Sequence, residues 1–150
     1  MLSPSHFMEQ AIALAQKSAA QGEVPVGCVI VKGGVIISRG QNKRENNGTA
    51  IWHAEIFAIK KACEKLNSWR LDECEMYITL EPCPMCAGAI INARIPKLYF
   101  GAFDINGGAC SNLSRVNLFE AGYNHRPMVI EGFMREDCEN LLKNFFKNLR

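Results

Sequence analysis

The 150-residue sequence lacks several features that would each decide its class. It has no run of about 18 apolar residues, and its first ten residues lack the basic-then-apolar order of a secretory signal. We therefore expect a cytoplasmic protein with no membrane anchor. It has no large excess of one charge, because 17 Lys and Arg oppose 15 Asp and Glu, so a polyanionic partner would have to be met by a local patch. Repeats are also absent, and the 48% hydrophobic composition predicts one domain over residues 1–150.

The cysteines do not form a pattern typical of disulfides. Their number is seven, which is odd, and a chain of this length can stabilise a core without covalent links. Reduced thiols can instead bind a metal. Free cysteine behaves as a small hydrophobic residue in most cores, so we expect five cysteines to be packed or unreactive thiols: Cys28, Cys63, Cys74, Cys110 and Cys138.

Hydrophobic periodicity predicts an α/β fold with helix layers on a mixed sheet. Branched residues on either side of Gly33-Gly34 indicate a β-hairpin, and a strand, a helix and a strand between residues 76 and 102 favour parallel pairing. A polar loop is expected over residues 41–48. The predicted helices cover residues 4–21, 54–66, 85–93 and 136–149, and the other predicted strands are 97–102 and 128–130.

The main chemical signal is a set of metal-binding residue types at two predicted helix starts. Cys83 and Cys86 are spaced i, i+3, so both sulfurs face one side of a first helical turn and can bind one ion. His53 can supply a third ligand. No fourth Cys or His stands at finger-like spacing, so a water molecule would complete the site, with Glu55 placed to take its proton.

Two other interpretations compete with a catalytic metal site. A lone Cys-x-x-Cys pair can be a redox pair, although thioredoxin-like sites lack the flanking prolines and the distant His-Ala-Glu. A structural zinc site in a binding module is the second alternative.

The combination His53-Ala54-Glu55 and Pro82-Cys83-Pro84-Met85-Cys86 matches the signature of zinc nucleobase deaminases. Over residues 5 to 149 the chain resembles the bacterial tRNA-specific adenosine deaminase family, through blocks such as Gly22 to Gly27 and Thr79 to Gly88. This resemblance implies a three-layer α/β/α cytidine-deaminase-like fold with a mixed five-stranded sheet.

The resemblance also implies a reaction. One Zn²⁺ per chain, held by His53, Cys83 and Cys86, would activate water for attack on C6 of adenine, and Glu55 would transfer protons until ammonia leaves and inosine remains. Backbone donors around Cys83 and Ala54 would help to hold the intermediate and the base edge. Pro82 would also bind the substrate, and Asn42 would contact the flipped nucleotide.

The partners follow from the same resemblance. Family members are homodimers whose shared cleft takes a tRNA anticodon loop, with the wobble adenosine as target. Asn124, His125 and Arg126 match another family block and are candidate RNA contacts. A free nucleobase or nucleoside, such as guanine, cytosine or an adenine derivative, is the alternative substrate.

Two departures from the family pattern put the substrate in question. The residues before His53 are Ala50-Ile51-Trp52 where relatives usually have Pro-Thr-Ala, so Trp52 would either fill core space or reshape the pocket and stack on a base. The loop 104–108 has Ile105 and Asn106 where relatives commonly have Pro and Lys.

The C-terminal helix carries cations on its predicted outer side. Lys143, Lys147 and Arg150 follow the last acid of the helix, Glu139, and would meet phosphates or simply complement the helix dipole. The expected buried stripe of this helix is Leu141, Leu142, Phe145, Phe146 and Leu149.

Overall fold

A computed structural model describes residues 2–43 and 48–149. Part of the predicted polar loop, residues 44–47, and the predicted phosphate contact Arg150 lie outside the described residues. The five strands are β1 (Gly27–Lys32), β2 (Val35–Gln41), β3 (Cys74–Leu80), β4 (Lys97–Ala102) and β5 (Met128–Ile130).

The strands form one mixed sheet in the order β2-β1-β3-β4-β5. Strand β1 pairs antiparallel with both β2 and β3, whereas β3, β4 and β5 run parallel to one another. The predicted hairpin at Gly33-Gly34 and the predicted parallel βαβ unit are both confirmed.

Four α-helices of the described chain cover the two faces of the sheet: α1 (Pro4–Ala20), α2 (Ala54–Leu66), α3 (Pro84–Ala93) and α4 (Arg135–Asn148). Alternate strand residues face opposite sides, so Cys28 and Ile30 pack with α2 and α3, while Val29 and Val31 pack with α1. The predicted three-layer α/β/α arrangement is confirmed.

Local chemistry explains where α1 and α2 lie. Ser3 caps α1 by accepting a hydrogen bond from the backbone N–H of His6, and Pro4 occupies the first turn, where a missing N–H costs nothing. Helix α2 lies so close to β2 that a Cβ at Gly40 would collide with the backbone carbonyl of Ala54. The absence of a side chain at Gly40 therefore lets the start of α2 approach the sheet.

The predicted buried stripe of the C-terminal helix is partly wrong. Helix α4 buries Cys138 and packs Leu142 against the sheet, but Phe146 is 51% exposed and Leu149 is 65% exposed. Helix α4 contacts β4 and α1, and the apolar residues of its last turn stay largely outside these contacts.

Among the described residues, no helix is both long enough and apolar enough to cross a bilayer. The carboxyl ends of β3 and β4 lie on the same edge of the sheet because the two strands are parallel. Parallel sheets bind ligands at this edge, and the predicted chemical groups are found there.

Candidate active site

Two helix N-termini meet at this edge and each begins with a predicted metal ligand. His53 is the N-cap of α2 and Cys83 is the N-cap of α3, both with extended backbone angles. Neither side chain caps its own helix. The two side chains are therefore directed to the space between the helices, where the positive ends of both helix dipoles favour anionic ligands.

The three predicted ligands come together. The Nδ1 atom of His53 lies 3.6 Å from the Sγ atom of Cys83 and 3.6 Å from that of Cys86. A tetrahedral zinc ion with ordinary Zn–N and Zn–S bonds would separate such atoms by about 3.6 Å. The three donor atoms lie within 4.8 Å of one another, and the donor set fits a metal ion of the zinc type.

The two sulfurs differ in acidity. A hydrogen bond from Cys86 lowers the pKa of Cys83 to about 4, with a smaller contribution from His53. The same thiol–thiol bond, together with burial, raises the pKa of Cys86. Cys83 is therefore a thiolate at neutral pH, and Cys86 keeps its proton. Binding of a metal ion would displace this proton.

Glu55 lies beside this cluster, one helical step inside α2. It is only 4% exposed, and burial raises the pKa of its carboxyl group to about 7. Such a pKa suits a group that both accepts and returns protons near neutral pH.

A cavity of about 210 Å³ opens against these groups. Its apolar walls come from Val24, Val26 and Leu80, and its polar lining includes the following residues: Asn42, His53, Glu55, Glu81, Cys83 and Asp104. A volume below the usual 300–1,000 Å³ of drug-sized pockets suits a single base or nucleoside.

Glu81 is a second buried carboxylate in the cavity lining, and the sequence analysis did not identify it. Glu81 is only 2% exposed, and its carboxyl oxygens accept four hydrogen bonds from the segment 104–114. The donors are the backbone N–H groups of Asp104 and Cys110 and the hydroxyl groups of Ser111 and Ser114. Its place two residues before Cys83 was the only available signal.

The predicted substrate-binding residues are placed unequally. Asn42 is buried and lines the cavity, with its backbone carbonyl accepting a hydrogen bond from Ser18. Ala54 and Pro82 are buried, and their side chains are not part of the cavity lining among the described residues. The predicted backbone donor at Ala54 and the predicted substrate contact of Pro82, which has no backbone N–H, stay predictions.

Trp52 lies outside the core clusters and outside the cavity lining of the described residues, and its stacking on a base stays a prediction. The indole is half-buried and stacks on Phe57, with ring centroids 4.5 Å apart and planes inclined by 19°. It thus forms an aromatic pair directly beside His53.

The predicted RNA contacts do not line the cavity within the described residues. His125 contacts the carbonyl of Ile95 through Nε2 at 2.7 Å, and Arg126 pairs with Glu120 at 2.9 Å. Lys143 and Lys147 lie on α4, which packs against the sheet face opposite α2 and α3. Asn124 is exposed on the loop before β5. Phosphate binding by these residues stays a prediction.

The remaining cysteines do not share the cluster. Cys28, Cys74, Cys110 and Cys138 are buried and Cys63 is half-buried, all as free thiols. Burial raises the pKa of each of the five. They are therefore protonated at neutral pH and poor nucleophiles.

Comparison with known proteins decides the family of this site. The profile of the MafB19-like deaminases matches residues 2–150. A tRNA-specific adenosine deaminase of Bacillus subtilis is 45% identical over 144 residues, which cover 96% of this chain and 89% of the relative. The chain belongs to this deaminase family. It is therefore an enzyme of the hydrolytic deaminase type, as the sequence predicted.

Two solved structures extend the similarity of this deaminase to three dimensions. One, from a study of A-to-I editing by tRNA:A34 deaminases at the wobble position, has a TM-score of 0.87 and 41% identity, covering 92% of this chain and 99% of that one. A guanine deaminase from Bacillus subtilis has a TM-score of 0.66 and 41% identity, covering 68% of this chain and 66% of that one.

Proposed function

We propose that this deaminase converts adenosine to inosine at the wobble position of a tRNA anticodon. The observation that carries the proposal is the buried carboxyl group of Glu55 beside the His53, Cys83 and Cys86 cluster, in a cavity of base size. The similarity over nearly the whole length to tRNA-specific adenosine deaminases supports adenosine in tRNA as the substrate.

His53, Cys83 and Cys86 would hold one Zn²⁺ per chain. The separations of the donor atoms and their types support this metal. When bound, zinc supplies Lewis acidity that makes a water molecule nucleophilic at neutral pH. The thiolate character of Cys83 and the two helix N-termini favour binding of a dication and of the anionic groups that form near it.

Glu55 would move the protons. In the ionised form its carboxylate would accept one proton of the attacking water and give it to a ring nitrogen. It would then take the second proton, from the hydroxyl group now on the attacked carbon, and give it to the amine, which leaves as ammonia. Burial keeps both forms accessible near pH 7 because it raises the cost of the negative charge.

The cavity would hold only the reacting base. Its volume of about 210 Å³ leaves no room for the stacked neighbours of an RNA strand, so the target nucleotide must be flipped out of the loop. Asn42, buried at the cavity wall, would donate and accept hydrogen bonds to the nucleotide, and Val24 and Val26 would cover its apolar face.

The decisive experiment supplies two kinds of substrate to the zinc-loaded protein. Transcribed anticodon stem-loops with adenosine at the wobble position are incubated and sequenced, with inosine expected at that position and nowhere else. Free adenosine, cytosine and guanine are tested in parallel by ammonia release. Conversion of a free base without conversion of any stem-loop would overturn the tRNA proposal.

Guanine is the second candidate substrate. The similarity to a guanine deaminase at 41% identity, over about two thirds of each chain, is the specific observation that favours it. The same assay separates the two, because a guanine deaminase releases ammonia from free guanine and leaves the stem-loop unchanged.

Zinc is tested with a matched pair of cysteine variants. Cys83→Ser removes one predicted ligand and is therefore expected to lose bound zinc. It should also lose stability, because the binding energy at such a site also stabilises the fold. Cys63→Ser changes a half-buried thiol on α2 outside the cluster and should keep about one zinc per chain. Equal zinc content in both variants would contradict the assigned ligands.

A homodimer and a cytoplasmic location complete the proposal. Large apolar side chains are exposed between residues 113 and 128: Leu113, Val116, Tyr123 and Met128. They are compatible with a subunit interface. Light scattering is expected to give the mass of two chains, and a monomer mass would contradict it. Cell fractionation tests the location.

A further inference from the structure

We propose that a basic cleft beside the catalytic cavity binds the RNA strand that flanks the reacting nucleotide. This flanking cleft has a volume of about 190 Å³, and its lining includes Arg39, Lys43, Phe57 and Lys61. The inference rests on the proposed RNA substrate and names the residues that would hold it outside the cavity.

The residues that line the flanking cleft lie next to residues that line the catalytic cavity at two places in the chain. Asn42 lines the cavity and its neighbour Lys43 lines the cleft. His53 lines the cavity and is preceded by Trp52, whose carbonyl accepts a hydrogen bond of 3.1 Å from the backbone N–H of Lys43. A strand that delivers one nucleotide to the cavity would therefore pass the cleft with its next residues.

The charges of the flanking cleft are available for a polyanion. Among the described residues, Arg39, Lys43 and Lys61 form no ion pair, whereas Lys60, next to Lys61, is paired with Glu64. The ammonium group of Lys61 donates to the carbonyl of Arg39 at 3.1 Å, which holds it at the cleft. Three cations concentrated at one place form the local patch that a chain of net charge +2 needs to meet phosphates.

Aromatic rings stand beside these cations. Phe57 lines the cleft and stacks on Trp52, and the ammonium group of Lys43 lies 5.7 Å from the centre of the Phe57 ring. Sites for single-stranded nucleic acid combine a positive groove with aromatic rings on which bases stack. Trp52, which directly precedes His53, would provide such a ring next to the metal cluster.

Protection of a sheet edge explains only part of this arrangement. Strand β2 is at the edge of the sheet, and a cation such as Arg39 discourages pairing with another chain. Lys43 lies after the strand and Lys61 lies on α2, so edge protection does not account for them.

The test compares two double variants with the same change in net charge. Arg39→Gln with Lys61→Gln removes two cations of the cleft, and Lys32→Gln with Lys60→Gln removes two exposed cations that are paired with Glu73 and Glu64. Binding of the zinc-loaded proteins to a product stem-loop, with inosine at the wobble position, is measured as a function of salt. The product is used so that no reaction proceeds during the titration.

We expect the cleft variant to bind about tenfold more weakly and to lower the slope of log K against log salt by about 1.4, which corresponds to two single-strand phosphate contacts. The control variant should keep the wild-type slope. Equal losses of affinity in both double variants, or no loss of affinity in either, would overturn the proposed role of the cleft. If wild-type protein neither binds nor converts stem-loops, the proposed function fails as well; if it converts them and the cleft variant binds like wild type, only the cleft fails.

Fluorescence gives a second, independent readout. The chain has two tryptophans, so Trp69→Phe leaves Trp52 as the sole indole emitter. Saturation of this variant with the product stem-loop is expected to quench Trp52 emission, because a base would stack near the ring. Unchanged emission at saturation would exclude contact of the RNA with the aromatic pair.

Discussion

Glu55 and Glu81 line the same cavity and are buried to a similar degree, yet the chain treats their carboxyl groups differently. Glu81 accepts four hydrogen bonds from the segment 104–114. Burial has the largest effect on the pKa of Glu55 and raises it to about 7. A hydrogen bond from its own backbone N–H is the main influence that lowers this pKa.

The comparison shows that burial alone does not define the role of an acid. A buried carboxyl group whose oxygens accept hydrogen bonds from a distant segment holds that segment in place. A buried carboxyl group with fewer donors can change its protonation state during a reaction. Glu81 therefore anchors the wall of the cavity and Glu55 would act within it.

Replacement of Glu55 should give the largest effect on activity. Glu55→Gln keeps the shape of the side chain but cannot transfer protons, so turnover of the stem-loop should fall by about 10²- to 10⁴-fold. Zinc content should stay near one per chain, and stability should be equal or higher, because a costly buried acid has been removed.

The matched control for this variant is Glu64→Gln, which changes an exposed acid on the same helix. It should leave turnover unchanged. Turnover of Glu55→Gln at the wild-type rate would remove Glu55 from the mechanism.

Glu81→Gln should lower the stability of the protein more than its turnover, unlike Glu55→Gln. The new amide NH₂ group would face donors that now point at a carboxylate, so the free energy of unfolding should fall by about 3 kcal/mol. Turnover of the folded protein should fall far less than for Glu55→Gln. Urea unfolding and the stem-loop assay measure the two quantities, and a wild-type midpoint would show that the four hydrogen bonds do not stabilise the chain.

A smaller loss of stability is expected for Gly108→Ala, which would push the segment 104–114 away from Glu81. At Gly108 a Cβ would lie 2.5 Å from the carboxyl carbon of Glu81 and 2.6 Å from the carbonyl oxygen of Asp104. Gly108→Ala should therefore cost about 1–3 kcal/mol of stability.

Gly88 provides the control for this steric effect. It lies within α3, and a Cβ there would meet no heavy atom within 4 Å. Gly88→Ala should stabilise the protein by about 1 kcal/mol, because alanine favours a helix. Equal melting temperatures for both variants would contradict the close contact at Gly108.

The smallest expected effect concerns the five cysteines outside the cluster. Their raised pKa values keep them as thiols at pH 7, so iodoacetamide should label the native, zinc-loaded protein slowly, with half-buried Cys63 the first to react. Mass spectrometry of peptides measures the labelling, with the unfolded protein as the positive control. Rapid modification of Cys28, Cys74, Cys110 or Cys138 would contradict this expectation.

Much of the ligand cluster could be predicted because its members are close to the starts of helices. The i, i+3 spacing of Cys83 and Cys86 and the His-x-Glu at the start of α2 are local patterns, and helix geometry converts them directly into position. The hydrogen bonds of Glu81 join residues 23 to 33 positions apart, and no local pattern identifies such partners.

The wrong or incomplete predictions have the same cause. The apolar stripe of α4 was correct as a helical pattern, but how far the helix continues past the sheet is a tertiary property, so Phe146 and Leu149 are exposed. Trp52 was recognised as unusual, yet its stacking partner Phe57 depends on how α2 begins beside the loop.

The amino-acid sequence by itself determined the residue types that can bind a metal and transfer protons, and the order of strands and helices that carries them, because these depend on short-range spacing. Only the tertiary structure decided that two helix N-termini face one cavity, that Glu81 is held by a distant segment and that three cations line one cleft together with Phe57. Those outcomes depend on which faces of the sheet the helices cover and on which strand ends meet at one edge, and both are settled by packing of the whole chain.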